Sequence, residues 1–379
     1  MDEPRSDTTP SRAQTTARPG PNTGPITGSG TVTGPVTATV TGTVSLLTVT
    51  DGRAGNQAQA LGLAEALARL APEKVRTLSR EITLRRWAAM LPAAAWDWAG
   101  RQLRGWPEAG LRAADGALAP PSGSGRAVVI GAGRRAAPVV AALGRRHGVA
   151  TVQLLDPQMS PAAFDLVAAP RHDGLTAPNT VATLGAIGRL SVEGIETAAD
   201  TLPAVIAGPI AALPEPRLAV LLGGGSASAR WSDDDKVAFV AAGKDLAQRG
   251  WSLIVTPSRR SDAEMVATLK DQLPPDRLFL WEGDGANPYP AMLSPDLASA
   301  VLVTADSVNM ASEAAASGLP VHVFHIGGLD PKLAAFHRAL EQHGAARPFE
   351  GEIGAWSYTP LQEADRLARI VSDRLDLGL

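Results

Sequence analysis

VLVTADSVNMASEAAASGLPVHVFH, residues 301–325, packs a strand, a sharp turn, a helix and a second strand into one short unit. Val301-Leu302-Val303 is the apolar run expected of a strand buried on both faces, and Thr304-Ala305-Asp306-Ser307 supplies the turn. Ser307 is placed to cap a helix that runs through 311–316. That helix stops at Gly318-Leu319-Pro320, where Gly accepts a left-handed conformation and Pro blocks continuation. Its N terminus therefore lies at the carboxyl end of a strand, the edge on which open α/β sheets bind ligands. Free N–H groups and a positive dipole end suit a diphosphate there. Glu313, well past the first turn, is too far along to be simply a capping carboxylate and can reach ribose hydroxyls beside that phosphate. The plainer alternative is a surface Glu on an ordinary helix.

Outward from this unit the same alternation repeats. An N-terminal series has strands at 44–49, 76–82, 127–130, 151–155, 166–168 and 181–184, with helices at 57–70, 85–104 and 135–146. Pro203, Pro209, Pro214 and Pro216 then punctuate a stretch that reads as a linker. A second series follows, with strands at 218–222, 252–256 and 278–281 and helices at 233–249 and 262–272, before the unit at 301–325. Strands alternating with helices predict doubly wound parallel sheets, here two Rossmann-like halves with a cleft between them. A last amphipathic helix at 361–375 is expected to pack back across the hinge. Residues 1–43 are rich in Thr, Gly, Pro and Ser, offer almost no large apolar side chains, and are expected to be disordered.

The 379 residues suffice for two domains, and 45% hydrophobic content supplies two cores. A formal charge of −3 argues against a nucleic-acid partner, which calls for a strongly basic field. The absence of cysteine excludes disulfides, thiolate metal sites and a thiol nucleophile, and fits a reducing, cytoplasmic compartment. His147, His172, His322, His325, His337 and His343 show no HxxxH spacing, so no metal is expected. No run of apolar residues is long enough for a transmembrane helix.

The second half carries a small or polar loop at each strand end. Gly223-Gly224-Gly225-Ser226, Thr256-Pro257-Ser258-Arg259-Arg260 and Asp306-Ser307 fall on one sheet edge, where Gly-rich turns let a backbone approach an anion and Arg259 or Arg260 can neutralise a leaving diphosphate. The loop from Glu282 to Tyr289, with Asn287, is where a base can be gripped by backbone groups. In the first half, Asp51, Arg53, Asn56 and Gln57 follow the first strand. Asp51 is a candidate general base on an acceptor hydroxyl, or else it caps the next helix or closes its turn. His172 and Asp173 follow another strand and can act on an acceptor together only in a loop conformation, because neighbours on a strand face opposite ways. Val128-Val129-Ile130-Gly131-Ala132-Gly133-Arg134-Arg135-Ala136, with Asp156 beyond, also fits a dinucleotide fingerprint. Its position inside the first domain, Pro157 after Asp156 and the crowding arginines favour a plain Gly-rich turn of an acceptor domain.

Asp51-Gly52-Arg53-Ala54-Gly55-Asn56-Gln57, Arg171-His172-Asp173-Gly174-Leu175, Thr256-Pro257-Ser258-Arg259-Arg260, Asn287-Pro288-Tyr289 and Thr304-Ala305-Asp306-Ser307-Val308-Asn309-Met310-Ala311-Ser312-Glu313-Ala314 together resemble the mitochondrial-fission ELM family, in order, over roughly residues 46–374. The stretch from Ser312 to Pro320, with 336–346 beyond, is similar to the donor-binding region of the N-acetylglucosaminyltransferase that makes lipid II. There the Glu matching Glu313 holds the ribose of the UDP moiety. The resemblance implies a GT-B-like fold: a tail at 1–43, an acceptor domain at 44–202, a linker at 203–216, a nucleotide-sugar domain at 217–358 and a returning C-terminal segment at 359–379. It implies a glycosyltransferase moving a sugar from a nucleotide-sugar donor, UDP-linked, to an envelope glycan or lipid acceptor, with Met310 and Ser312 among the donor-site residues. A GT-B nucleotide-sugar epimerase and a non-catalytic nucleotide-sugar-binding scaffold are the alternatives. A lipid acceptor would bring with it peripheral association with the inner membrane.

Overall fold

A computed structural model of the chain describes residues 42–102, 106–114, 118–119 and 125–379. The tail expected to be disordered lies outside the described residues but for its last two. The N-terminal half runs β1 (Val44–Thr50), α1 (Ala54–Leu70), β2 (Val75–Leu84), α2 (Arg86–Met90), α3 (Ala93–Gln102), β3 (Leu111–Ala114), β4 (Arg126–Ala132), α4 (Ala137–His147), β5 (Ala150–Leu154), β6 (Leu166–Pro170) and β7 (Thr180–Thr183). Two helices follow, α5 (Val192–Asp200) and α6 (Ala204–Ala211). The C-terminal half runs β8 (Arg217–Leu222), β9 (Ala229–Arg230), α7 (Asp233–Gln248), β10 (Ser252–Pro257), α8 (Ala263–Gln272), β11 (Leu278–Leu280), β12 (Ala300–Thr304), α9 (Val308–Ala316), β13 (Val321–Phe324), β14 (Gly328–Leu329), α10 (Pro331–His343), β15 (Ala346–Pro348) and α11 (Glu363–Arg374).

The first sheet has strand order β3-β2-β1-β4-β5-β6-β7 and is parallel except for β3, which pairs antiparallel with β2. The second has order β11-β10-β8-β12-β13-β15 and is parallel throughout. Both faces of the first sheet are covered. On β1, Leu46 joins a core with Leu63 and Leu67 of α1, while Leu47 and Val49 join one with Trp96 of α3 and Val140 of α4. That explains why the central strands β1, β4 and β6 read as largely apolar runs rather than alternating ones.

Two expectations need correction. The predicted helix at 85–104 is two helices, α2 and α3, because Pro92 cannot continue α2 and turns the chain at Leu91. The stretch taken for a linker holds α6, with Pro209 inside it. Ile206 and Ile210, one turn apart, are buried in the C-terminal core, and that burial outweighs the hydrogen bond lost at Pro209. The C-terminal segment forms α11. In α11, Leu367, Ala368 and Val371 are buried against Ala60, Leu63 and Leu67 of α1, and Asp365 bonds Arg69 at 2.6 Å.

Candidate functional site

Each sheet reverses its strand order once, between β1 and β4 in the first and between β8 and β12 in the second. Parallel strands put all their carboxyl ends on one edge, and a reversal leaves a crevice there because the two loops diverge. Every candidate residue at these reversals owes its place to that topology.

At the first reversal, Asp51 follows β1 and its side chain is 3% exposed. Asn56, in the first turn of α1, donates to Asp51 Oδ1 at 3.0 Å. Arg53 Nε stands 3.5 Å and Arg135 Nη1 4.0 Å from Oδ2, yet Oδ2 has no hydrogen-bond partner among the described residues, and neither has the buried Nε of Arg135. Asp51 therefore does not cap α1, whose N-cap is Arg53 without a side-chain bond. The turn after β4 is tightly fitted beneath. Gly133 has φ +78, and a Cβ there would stand 2.6 Å from Asn56 Nδ2, so only glycine lets the turn and Asn56 coexist. Gln57 lies beside Asn56 and is half-buried.

The second reversal is closed upon itself. Thr304 Oγ1 accepts from Gly223 N at 2.8 Å, and Asp306 Oδ2 accepts from Gly224 N at 2.7 Å while Oδ1 takes the Thr304 hydroxyl at 2.6 Å. Ser261 Oγ bonds the carbonyls of Leu222 and Gly223, and a Cβ on Gly224 would collide with the Arg260 carbonyl. The Gly223 and Gly224 amides expected to cradle phosphate are thus already taken, and burial raises the Asp306 pKa. Ser258 is likewise bonded within its turn. Arg259 and Arg260 are exposed, and a depression of about 480 Å³ opens between Gly224, Gly225, Ser226, Arg230, Lys236 and Arg260.

The helix read from the opening stretch is α9. Ser307 caps it, accepting from Met310 N at 3.3 Å, and no acidic residue occupies its first turn. Its outer face lies against the N-terminal half. A Cβ on Gly55 of α1 would stand 3.1 Å from Asn309 Nδ2, so the N termini of α1 and α9 meet. Ser312 accepts from Ala186 N at 2.9 Å and donates to Val308 O at 2.7 Å, which makes it a strut between the halves, and Met310 packs on the C-terminal core. Glu313 Oε2 accepts from the Tyr289 hydroxyl at 2.6 Å, and Asn287 Oδ1 accepts from Tyr289 N, so the predicted base-gripping loop and the predicted ribose carboxylate form one cluster. Burial raises the Glu313 pKa, an effect eased by Tyr289 and Arg189, and raises that of Tyr289 strongly.

His172 and Asp173 fall elsewhere. They follow β6, three strand positions from β1 or about 14 Å across the sheet. Asp173 pairs with Lys332 of α10 at 2.9 Å, and the His172 ring sits edge-on to Phe336 of the same helix. His337 is 1% exposed and donates from Nε2 to Ala305 O at 2.7 Å, under the second reversal, and burial lowers its pKa to about 4. Reading the sequence did not single out Asn309, Arg135 as a partner of Asp51, or His337. Only for Arg135 was there a signal, its place after a Gly-rich turn. Among the described residues no group of three or more His, Asp or Glu side chains is arranged to hold a metal ion.

A family model described as mitochondrial fission ELM1 matches residues 54–375. Mitochondrial fission protein ELM1 of Arabidopsis thaliana is 27% identical over 273 residues, covering 64% of this chain and 62% of that protein. Protein RP120 of Rickettsia prowazekii (strain Madrid E) is 28% identical over 168 residues, covering 42% of this chain and 47% of that protein. The chain thus spans less than two thirds of the length of either relative. Among solved structures, a candidate UDP-N-acetylglucosamine 2-epimerase of Listeria monocytogenes superposes over 88% of this chain and 97% of its own, with a TM-score of 0.50 at 12% identity. That likeness establishes a GT-B-like fold of two Rossmann-like halves.

Proposed function

The chain belongs to the mitochondrial fission ELM1 family, and from that premise we propose that it is a glycosyltransferase that takes a sugar from a UDP-linked donor and passes it to a glycan or lipid acceptor. The donor lies along the carboxyl edge of the C-terminal sheet. Its diphosphate meets the free N–H groups at the N terminus of α9 and the Arg260 guanidinium, its ribose the open oxygen of Glu313, and its base the loop at Asn287 and Tyr289. The acceptor hydroxyl meets Asp51 Oδ2. As the bond between C1 of the sugar and the diphosphate oxygen breaks, the acceptor oxygen bonds to C1 and its proton passes to Asp51. The negative charge leaves on UDP, stabilised by the dipole of α9 and by Arg260. In this scheme the leaving charge needs no metal ion, and activity is expected to survive EDTA.

What supports this reading above all is the meeting of α1 and α9. It sets the helix that follows Asp51, a buried carboxylate with an unpartnered oxygen, against a capped helix N terminus free of acidic residues. Calorimetric titration with UDP and uridine tests the donor half. Glu313→Ala is expected to weaken UDP binding by about 1.5–3 kcal/mol, the scale of a hydrogen bond to a charged group. Because that change also strips Tyr289 of its partner, Glu313→Gln serves as the folding control. Unchanged UDP affinity in Glu313→Ala would place the ribose elsewhere. Donor binding with no turnover on any acceptor would favour the scaffold alternative.

A further inference from the structure

We propose that α2 and α3 form a face that docks the protein onto an anionic lipid bilayer. Among the described residues seven large apolar side chains are exposed, and four of them fall here: Trp87 at 48%, Met90 at 84%, Leu91 at 40% and Trp98 at 64%. Trp87, Met90 and Leu91 fall at helical spacing on α2 and its C-cap, and Trp98 lies on α3. Half of the chain's eight tryptophans lie between 85 and 112. Trp96 and Trp106 are buried and packed ring to ring at 4.5 Å, and Trp96 Nε1 donates to Ala88 O, so the outward pair rides on a rigid inner pair. A fold that has buried two tryptophans here and left two in water has presented the residue type most favoured at a membrane surface.

Charge decides the occupant. Five arginines and two acidic residues lie between 85 and 112, within a chain of net charge −3. Both acidic residues are already neutralised, Asp97 by Arg101 and Arg145 and Glu108 by Arg146. Arg86 and Arg112 have no acidic partner among the described residues. Arg86, on α2 with the exposed Trp87, is a cation suited to an anionic headgroup layer. A second copy of the chain fits less well, since four partly exposed side chains offer on the order of 500 Å², against the roughly 800 Å² per partner of a stable interface. No described helix is long and apolar enough to cross a membrane, so the face lies on the surface. It also starts where β2 ends, beside β1, and Gly52 packs on Glu81, so docking would bring the bilayer to the edge that carries Asp51.

Cosedimentation of the full chain with phosphatidylcholine vesicles, with and without phosphatidylglycerol, tests this. Binding is expected only with the anionic lipid and should weaken as salt rises. Trp87→Ser/Trp98→Ser should lower partitioning by at least about tenfold, through loss of two inserted rings, with the melting temperature little changed. The single Trp98→Ser variant, on an exposed helix face, stands in if the pair fails to fold. Arg86→Glu should reduce the preference for anionic vesicles. The proposal is overturned if the wild type stays in the supernatant or if the tryptophan variants pellet as it does. A concentration-dependent dimer that the same substitutions abolish would also overturn it, by assigning the face to a second copy.

Discussion

At the C-terminal reversal, Gly223, Gly224, Thr304 and Asp306 satisfy one another, whereas at the N-terminal reversal Asp51 and Arg135 keep buried polar atoms without a partner. The topology is the same in both places, a central strand flanked by loops that diverge. The chemistry differs. A reversal whose buried groups are all paired is a rigid platform, and in the proposed scheme a ligand is met by groups around it: the α9 N terminus, Arg260 and Glu313. A reversal with leftover buried polar atoms carries a desolvation cost that a ligand can relieve. Strand order alone locates a crevice, while the hydrogen-bond inventory tells a platform from a reactive centre.

Asp51→Asn probes that difference most strongly. It keeps the shape and the bond to Asn56 but removes the proposed base, so turnover should fall by about 10²–10⁴-fold with stability almost unchanged. A variant that retained activity would remove Asp51 from the chemistry. Asp306→Ala should do the reverse. Asp306 is 5% exposed and its loss strands the Gly224 N–H and the Thr304 hydroxyl, so urea unfolding should show about 2–3 kcal/mol less stability. If stability held, the platform description would fail.

Acid should act on the platform through His337. Its pKa lies below the ordinary 6.5, at about 4, so the unfolded chain takes up a proton in that window while the native state resists. Stability is therefore fully present above about pH 6.5 and is lost as pH falls towards 4, by about 2 kcal/mol at pH 5. His337→Gln, which can still donate to Ala305, should flatten that decline in melting temperature. An identical acid limb would assign it to other groups. The smallest effect is expected of Arg260→Ala, an exposed side chain: about 1 kcal/mol lost for UDP and none for uridine. Equal losses for both would detach Arg260 from the phosphates.

Local signals in the chain were legible and distant pairings were not. Ser307 as a cap, the Gly-Leu-Pro stop and the buried strand at 301–303 depend on neighbours within one turn, and the structure has all three. The Gly223-Gly224 turn read as a phosphate cradle because nothing nearby reveals that its amides are taken by Thr304 and Asp306, 81 and 82 residues away. Ser312, a donor-site residue by resemblance, is bonded to the Ala186 amide, 126 residues distant, which no local signal reveals. The reading at 203–216 failed differently. Four prolines obscured the Ile206 and Ile210 spacing, which sufficed for a short helix with one buried face. Pro92 was in plain view, and the rule that proline ends a helix outweighed the apolar periodicity running through it.

The returning α11 has a consequence for how the chain is made. Ala60, Leu63 and Leu67 of α1 wait for Leu367, Ala368 and Val371 as their cover, and the whole C-terminal sheet is synthesised in between. On the ribosome, the first half must carry an open apolar groove until almost the last residues emerge. The C-terminal sheet is in effect an insertion between the first half and its own final helix, anchored where Glu363 accepts from Leu184 N and where Leu361 N and Gln362 bond the carbonyls at the end of α9. Neither half can then lose its fold without loosening the segment that clasps the other, and a chain cut short before α11 would be a client for chaperones rather than a smaller folded protein.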